Sequence, residues 1–114
     1  MNMNKRLEIR DVEKISKALG DSHRIKIMEV VKRAKWMQCE EIKGTFNLSQ
    51  STISHHLKQL VDAKLLIAEK EGRNCKYQIN QEIMGAMPRY LYEFCILGSE
   101  KADKANESLA ALSI

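Results

Sequence analysis

The chain has one proline and five glycines in 114 residues, and aromatic side chains make up only 5%. So few breakers exclude a Pro- or Gly-rich linker, and with them a low-complexity or collagen-like architecture. No internal repeat is present. No stretch approaches the roughly 18 uninterrupted apolar residues of a membrane span, so no membrane partner is expected. The start, Met1-Asn2-Met3-Asn4-Lys5-Arg6, has no apolar run after its charges, which argues against a signal peptide. Cysteines number three, at positions 39, 75 and 95. An odd, widely spaced set argues against a disulfide scaffold and for a reducing, cytoplasmic setting.

What is there is ordinary for one globular domain: 44% hydrophobic and 30% charged residues, enough to bury a core. Lys plus Arg is 19 and Asp plus Glu is 15, a net charge of +4. That excess is too small to decide nucleic-acid binding by itself, and its distribution says more.

Along the chain, residues 1–8 are polar and read as a flexible N-terminus. Ile9, Val12, Ile15 and Leu19 recur at helical spacing, and Gly20 ends that helix. Asp21 or Ser22 can cap the next helix. Its stripe reads as Ile25, Met28 and Val31, widened by Ile27 and Val30, with Arg24, Lys26, Lys32, Arg33 and Lys35 as a basic rim. A short helix is expected over Cys39–Phe46, broken by Asn47-Leu48-Ser49, and another from Gln50 to about Ala63. Ser49 suits its N-cap, with Leu48 and Ile53 placed for a hydrophobic staple. The period then changes. Leu65-Leu66-Ile67-Ala68 reads as a strand and Glu71-Gly72-Arg73-Asn74 as a turn. Cys75, Tyr77 and Ile79 form the apolar face of a return strand. From Asn80 to Ile114 the pattern is helical again, divided at Pro88, which suits a first helical position. Leu91, Phe94, Cys95, Gly98, Ala102, Ala105, Leu109 and Leu112 continue it as one helix or two.

Two short helices joined by a tight turn and followed at once by a β-hairpin give the order of a winged helix-turn-helix. The expected fold is therefore α+β, mainly α, with a two-stranded hairpin wing and a long C-terminal dimerisation helix. Residues 9–80 form the DNA-binding part, and residues 81–114 a helical dimerisation segment of the same domain. At about 100° per residue, Ser51, Ser54, His55, Lys58 and Asp62 lie opposite Ile53, Leu57 and Leu60. A recognition helix meets base edges with its N-terminal half, where Ser and His can donate or accept and Lys can reach phosphate or guanine. The plainer alternative is the polar outer face of an ordinary helix bundle.

The run Leu48-Ser49-Gln50-Ser51-Thr52-Ile53-Ser54-His55-His56-Leu57-Lys58-Gln59-Leu60 resembles the recognition helix of the ArsR/SmtB, or arsenic-repressor, family of bacterial winged-helix regulators. Ala18-Leu19-Gly20-Asp21-Ser22-His23-Arg24 resembles that family's approach to its second helix. Ala63-Lys64-Leu65-Leu66, Gly72-Arg73 and Tyr77-Gln78-Ile79 resemble its wing. The likeness spans about residues 12–80. It implies a homodimeric repressor on a roughly palindromic double-stranded DNA operator, released by an effector or a chemical change. Carried across, Ser51, Ser54 and His55 read base or backbone, Gln50 and Thr52 hold phosphate, and Lys58 adds electrostatic affinity. In the wing, Arg73 approaches the minor groove or a phosphate, with Lys70 and Lys76 nearby; the alternative for Arg73 is a turn residue in solvent. His56 lies close to the apolar face and reads as structural.

The effector is not legible. One metal site of the family uses a Cys-x-Cys pair where this chain has Gln38-Cys39-Glu40, and another needs a histidine on the last helix, where none follows His56. No metal site and no cofactor is expected on those patterns, and Cys39 reads as a buried thiol. Some members switch through two cysteines. Cys95 resembles the later one and Cys39 would have to replace the earlier, so the pair is a candidate redox switch if the two can meet. A small-molecule, redox or metal effector all stay open. No nucleophile–base pair, phosphate-binding glycine loop or ligand cluster points to an enzyme. The rival from another class is a winged-helix module that binds protein rather than specific DNA.

Overall fold

The structure, a computed structural model, describes residues 5–95. Helix α1 (Ile9–Leu19) leads to α2 (Ser22–Ala34), a short strand β1 (Trp36–Gln38), α3 (Cys39–Thr45) and α4 (Gln50–Asp62). Strands β2 (Leu66–Glu71) and β3 (Asn74–Ile79) follow, then α5 (Gln81–Tyr92) and a single 3₁₀ turn over Glu93–Cys95.

The sheet has three strands rather than the two of the expected hairpin, in the order β1-β3-β2. β1 pairs antiparallel with β3, Met37 opposite Tyr77. Three residues, Trp36-Met37-Gln38, carry too short a pattern to read as a strand; they hold because β3 offers a free edge. The hairpin register sets Glu71 opposite Asn74, so only Gly72 and Arg73 form the loop. Gly72 sits at φ +61°, where a β-carbon would be strained, as the first residue of such a tight loop requires.

The core is built from one face of each helix and the base of the sheet. Ile15, Ile27, Val31, Ile42, Ile53, Leu57, Leu60, Leu65, Leu66 and Ile83 are buried within it. Each such side chain removed from water contributes about 1.5–3 kcal/mol before conformational entropy is subtracted. Leu7 packs against this core, and the Glu8 amide donates to Asp11 at the start of α1.

Two expectations need correction. The α2 stripe is rotated: Ile27, Met28 and Val31 are buried while Ile25 is 42% exposed. Arg24 shares that inward face at i, i+3, i+4 and i+7, so it does not belong to the basic rim. Pro88 does not start a helix either. It lies inside α5, which begins at Gln81 with Asn80 Oδ1 accepting from the Ile83 amide at 3.3 Å. Proline there removes one backbone donor, and the cost is offset by Ile83 and Ala86, buried on the same helix. The helical pattern expected beyond Cys95, from Gly98 to Leu112, lies outside the described residues.

The turn between α4 and β2 sets the angle of the wing. The Leu65 amide donates to Leu60 O at 2.9 Å and the Lys64 amide to Val61 O at 2.9 Å. This is a Schellman closure, and it puts Lys64 at φ +63°.

Candidate nucleic-acid interface

Helix α4 is held at both ends and along its back, which leaves one face to solvent. At its start, Ser49 Oγ accepts from the Thr52 amide at 3.2 Å and lies 2.7 Å from Thr52 Oγ1 and 3.2 Å from Ser51 Oγ. Ile53, Leu57 and Leu60 form the buried side, and His56 is buried with them, 7% exposed.

Gln50, Ser51, Ser54, His55 and Lys58 are exposed, and Thr52 is half-buried with its hydroxyl turned back toward Ser49. The exposed set occupies the first two and a half turns of the helix, the part that reaches base edges in a major groove. In the wing, Lys70 and Arg73 are exposed at and beside the tip. Lys76 is half-buried, with its ammonium 4.6 Å from the centroid of the Trp36 ring. Sequence reasoning missed this cation–π contact, because Trp36 meets Lys76 only through the extra strand β1.

Behind the exposed face of α4 stands a polar cluster. Arg24 Nε donates to Ala18 O at 2.6 Å, Nη2 to Lys17 O at 3.1 Å and Nη1 to His56 Nδ1 at 3.2 Å. One side chain thus closes the C-terminus of α1 and meets the recognition helix. Burial pushes the His56 imidazole below its ordinary value; the Asp21 carboxylate opposes this, and the Arg24 charge adds to the lowering. Asp21 Oδ1 caps α2, accepting from the His23 amide at 2.8 Å and the Arg24 amide at 3.2 Å. Burial alone would raise the Asp21 carboxyl, but those backbone donors and the Arg24 charge hold it below the usual carboxylate range.

The thiols are dispersed. Cys39 is half-buried at the start of α3, and Cys95 is exposed in the 3₁₀ turn. Cys39 lines a shallow cleft of about 210 Å³ together with Ser54, Lys58 and Tyr77. The Tyr77 hydroxyl is pushed well up, by burial first and then by the nearby thiols of Cys75 and Cys39.

A family model described as "Bacterial regulatory protein, arsR family" matches residues 21–68. The arsenical resistance operon repressor of Bacillus subtilis is 34% identical over 97 residues, covering 83% of this chain and 89% of that protein. The chain belongs to the arsR family of bacterial regulatory proteins. The arsenical resistance operon repressor of Staphylococcus aureus is 33% identical over 78 residues, 68% of this chain and 74% of its own. Among solved structures, an ArsR-like transcriptional regulator from Rhodococcus shares the fold with a TM-score of 0.68 at 21% identity, over 90% of each chain. A homodimeric winged helix-turn-helix DNA-binding domain from Mycobacterium bovis does so at 0.62 and 22%, over 75% of this chain and 81% of that one. As a member of this family the chain is a DNA-binding transcriptional repressor. Among the described residues no helix is long and apolar enough to cross a membrane.

Proposed function

We propose that the chain represses transcription in the cytoplasm as a homodimer on a roughly palindromic operator, and carries no catalytic activity. The observation that supports this reading best is the exposed polar face of α4, with Ser51, Ser54, His55 and Lys58 along one side and Lys70 and Arg73 on the adjoining wing. Ser51, Ser54 and His55 read bases or backbone, Gln50 and Thr52 engage phosphate at the helix start, and Lys58, Lys70, Arg73 and Lys76 supply electrostatic affinity.

Pairing is favoured by apolar surface that the single chain leaves in water. Ile9 is 79% exposed on α1, and Leu91 and Phe94 are 50% and 71% exposed at the end of α5 and in the 3₁₀ turn. A second copy covering these positions places two α4 helices on successive major grooves, about 34–36 Å apart. Release comes from an effector or from modification of a thiol, with Cys39 and Cys95 as the candidate pair. Cys39 shares a cleft with Ser54 and Lys58, so a modified sulfur there reaches the reading helix directly.

The test is a titration of duplex DNA from the region upstream of the chain's own gene against random duplex, at several salt concentrations, alongside sizing of the free protein. Specific binding by a dimer, weakening steeply with salt as counterions are released, is the expected result. A monomer with equal affinity for both duplexes would point instead to a protein-interaction module.

A further inference from the structure

We propose that Asp21, His23 and His56 form a binding site for a divalent transition-metal ion of the zinc, nickel or cobalt type, at the junction of α2 and α4. One donor atom from each of the three lies within 4.8 Å of the other two. Asp21 Oδ1 and His23 Nδ1 are 3.8 Å apart. The His23 ring stacks over His56 with centroids 5.8 Å apart and planes 22° from parallel. Two imidazoles and a carboxylate are a donor set suited to these ions, and three protein ligands leave the fourth tetrahedral position to water. Bonds of about 2.0–2.1 Å require the donors to sit roughly 3.4 Å apart, so the site closes by an ångström or so. Most of that movement falls to His23, whose side chain is 45% exposed, because Asp21 is held by its cap and His56 is buried.

His56 is the buried donor of the three. Arg24 is always a donor, so its contact at 3.2 Å makes His56 Nδ1 the acceptor and leaves the proton on Nε2. The lone pair an ion can use is therefore the one that Arg24 now occupies. The ion and the guanidinium compete for one nitrogen, and Arg24 retains its bonds to Ala18 O and Lys17 O when it yields. The carboxylate of Asp21 offsets the repulsion between the dication and the Arg24 charge. Asp21 can bind through Oδ2 while Oδ1 goes on capping α2. The site departs from the family patterns weighed above, since it uses no cysteine and nothing from the last helix. It stands behind α4 and does not depend on the DNA reading.

The experiment is a titration of the full-length protein with Co²⁺, and with Zn²⁺ by calorimetry, against His23→Gln and Asp21→Asn. Asn still caps a helix, so the second variant removes the charge and spares the fold. The parent is expected to bind one equivalent, with the visible spectrum of cobalt held by nitrogen and oxygen, and to melt at a higher temperature with Zn²⁺. Each variant should bind at least about tenfold more weakly, since even second-shell changes cost that much at metal sites. Equal affinity in parent and His23→Gln overturns the proposal. A thiolate-to-cobalt charge-transfer band overturns it too, because the ion is then on the cysteines.

Discussion

Arg24 Nη1 stands 3.2 Å from His56 Nδ1, joining the first turn of α2 to the back of the recognition helix across 32 positions of sequence. The same guanidinium donates to two carbonyls at the end of α1. Three elements therefore meet at one planar group, which touches α4 through the buried His56 and not through its exposed face.

Arg24→Ala should lower stability by about 2–3 kcal/mol, the scale of losing hydrogen bonds to a charged donor at a partly buried site. Arg24→Lys should recover little of it, because an ammonium cannot serve three acceptors in one plane. Urea unfolding of the two variants beside the parent measures both.

The lowered His56 value gives a pH dependence of definite sign. The folded ring is harder to protonate than the unfolded one, so the unfolded state binds more protons as the pH drops through the ordinary histidine range, near 6.5. Stability should be full above that range and fall as the pH drops through it toward the lower folded value. His56→Gln should flatten this part of the profile, seen as thermal melting between neutral and mildly acidic pH. Asp21, also lowered, acts in a separate and more acidic window, as carboxylates protonate.

Ser54→Ala and His55→Ala remove exposed side chains, so the folded dimer should persist while specific DNA affinity drops. Each lost base contact is worth about 1–3 kcal/mol, and Lys58→Ala should weaken specific and random duplex alike. Fluorescence anisotropy with both duplexes separates the two effects. Unchanged affinity in the serine and histidine variants would reassign the reading face.

Lys64 holds a left-handed conformation at φ +63° that glycine adopts without strain. Lys64→Gly should stabilise the protein by roughly 0.5 kcal/mol, the relief of the β-carbon penalty less the added freedom of the unfolded chain. The melting temperature should rise slightly and DNA binding should be unaffected.

The thiols can be examined by mass spectrometry after mild oxidant or polysulfide treatment. Exposed Cys95 should react before half-buried Cys39. A Cys39–Cys95 linkage together with weakened DNA binding is the outcome expected of a redox switch. Absence of the linkage with DNA binding unchanged would remove it.

The helix-turn-helix was legible because its cues are local. Ser49 caps α4, and Ile53, Leu57 and Leu60 follow at helical spacing. The rest depended on contacts that sequence order hides. β1 is three residues long and exists through Tyr77 and its neighbours, some 40 positions away. Arg24 looked like one more surface charge until its three acceptors came together. Pro88 obeyed its local preference less than the packing of Ile83 and Ala86. The polar face of α4 was readable from periodicity alone, but the Asp21–His23–His56 cluster was not, because His56 follows His23 by 33 positions on another helix.

The middle position of β3 in the sheet has a further consequence. A hairpin projecting from a globule can usually be exchanged like a removable arm, whereas this one shares its return strand with the body of the protein. Grafting a different tip to alter operator preference should succeed only for residues 71–74, beyond the Lys70–Cys75 pair. Cutting nearer the base would strip β1 of its neighbour and unseat Trp36 and Met37 as well.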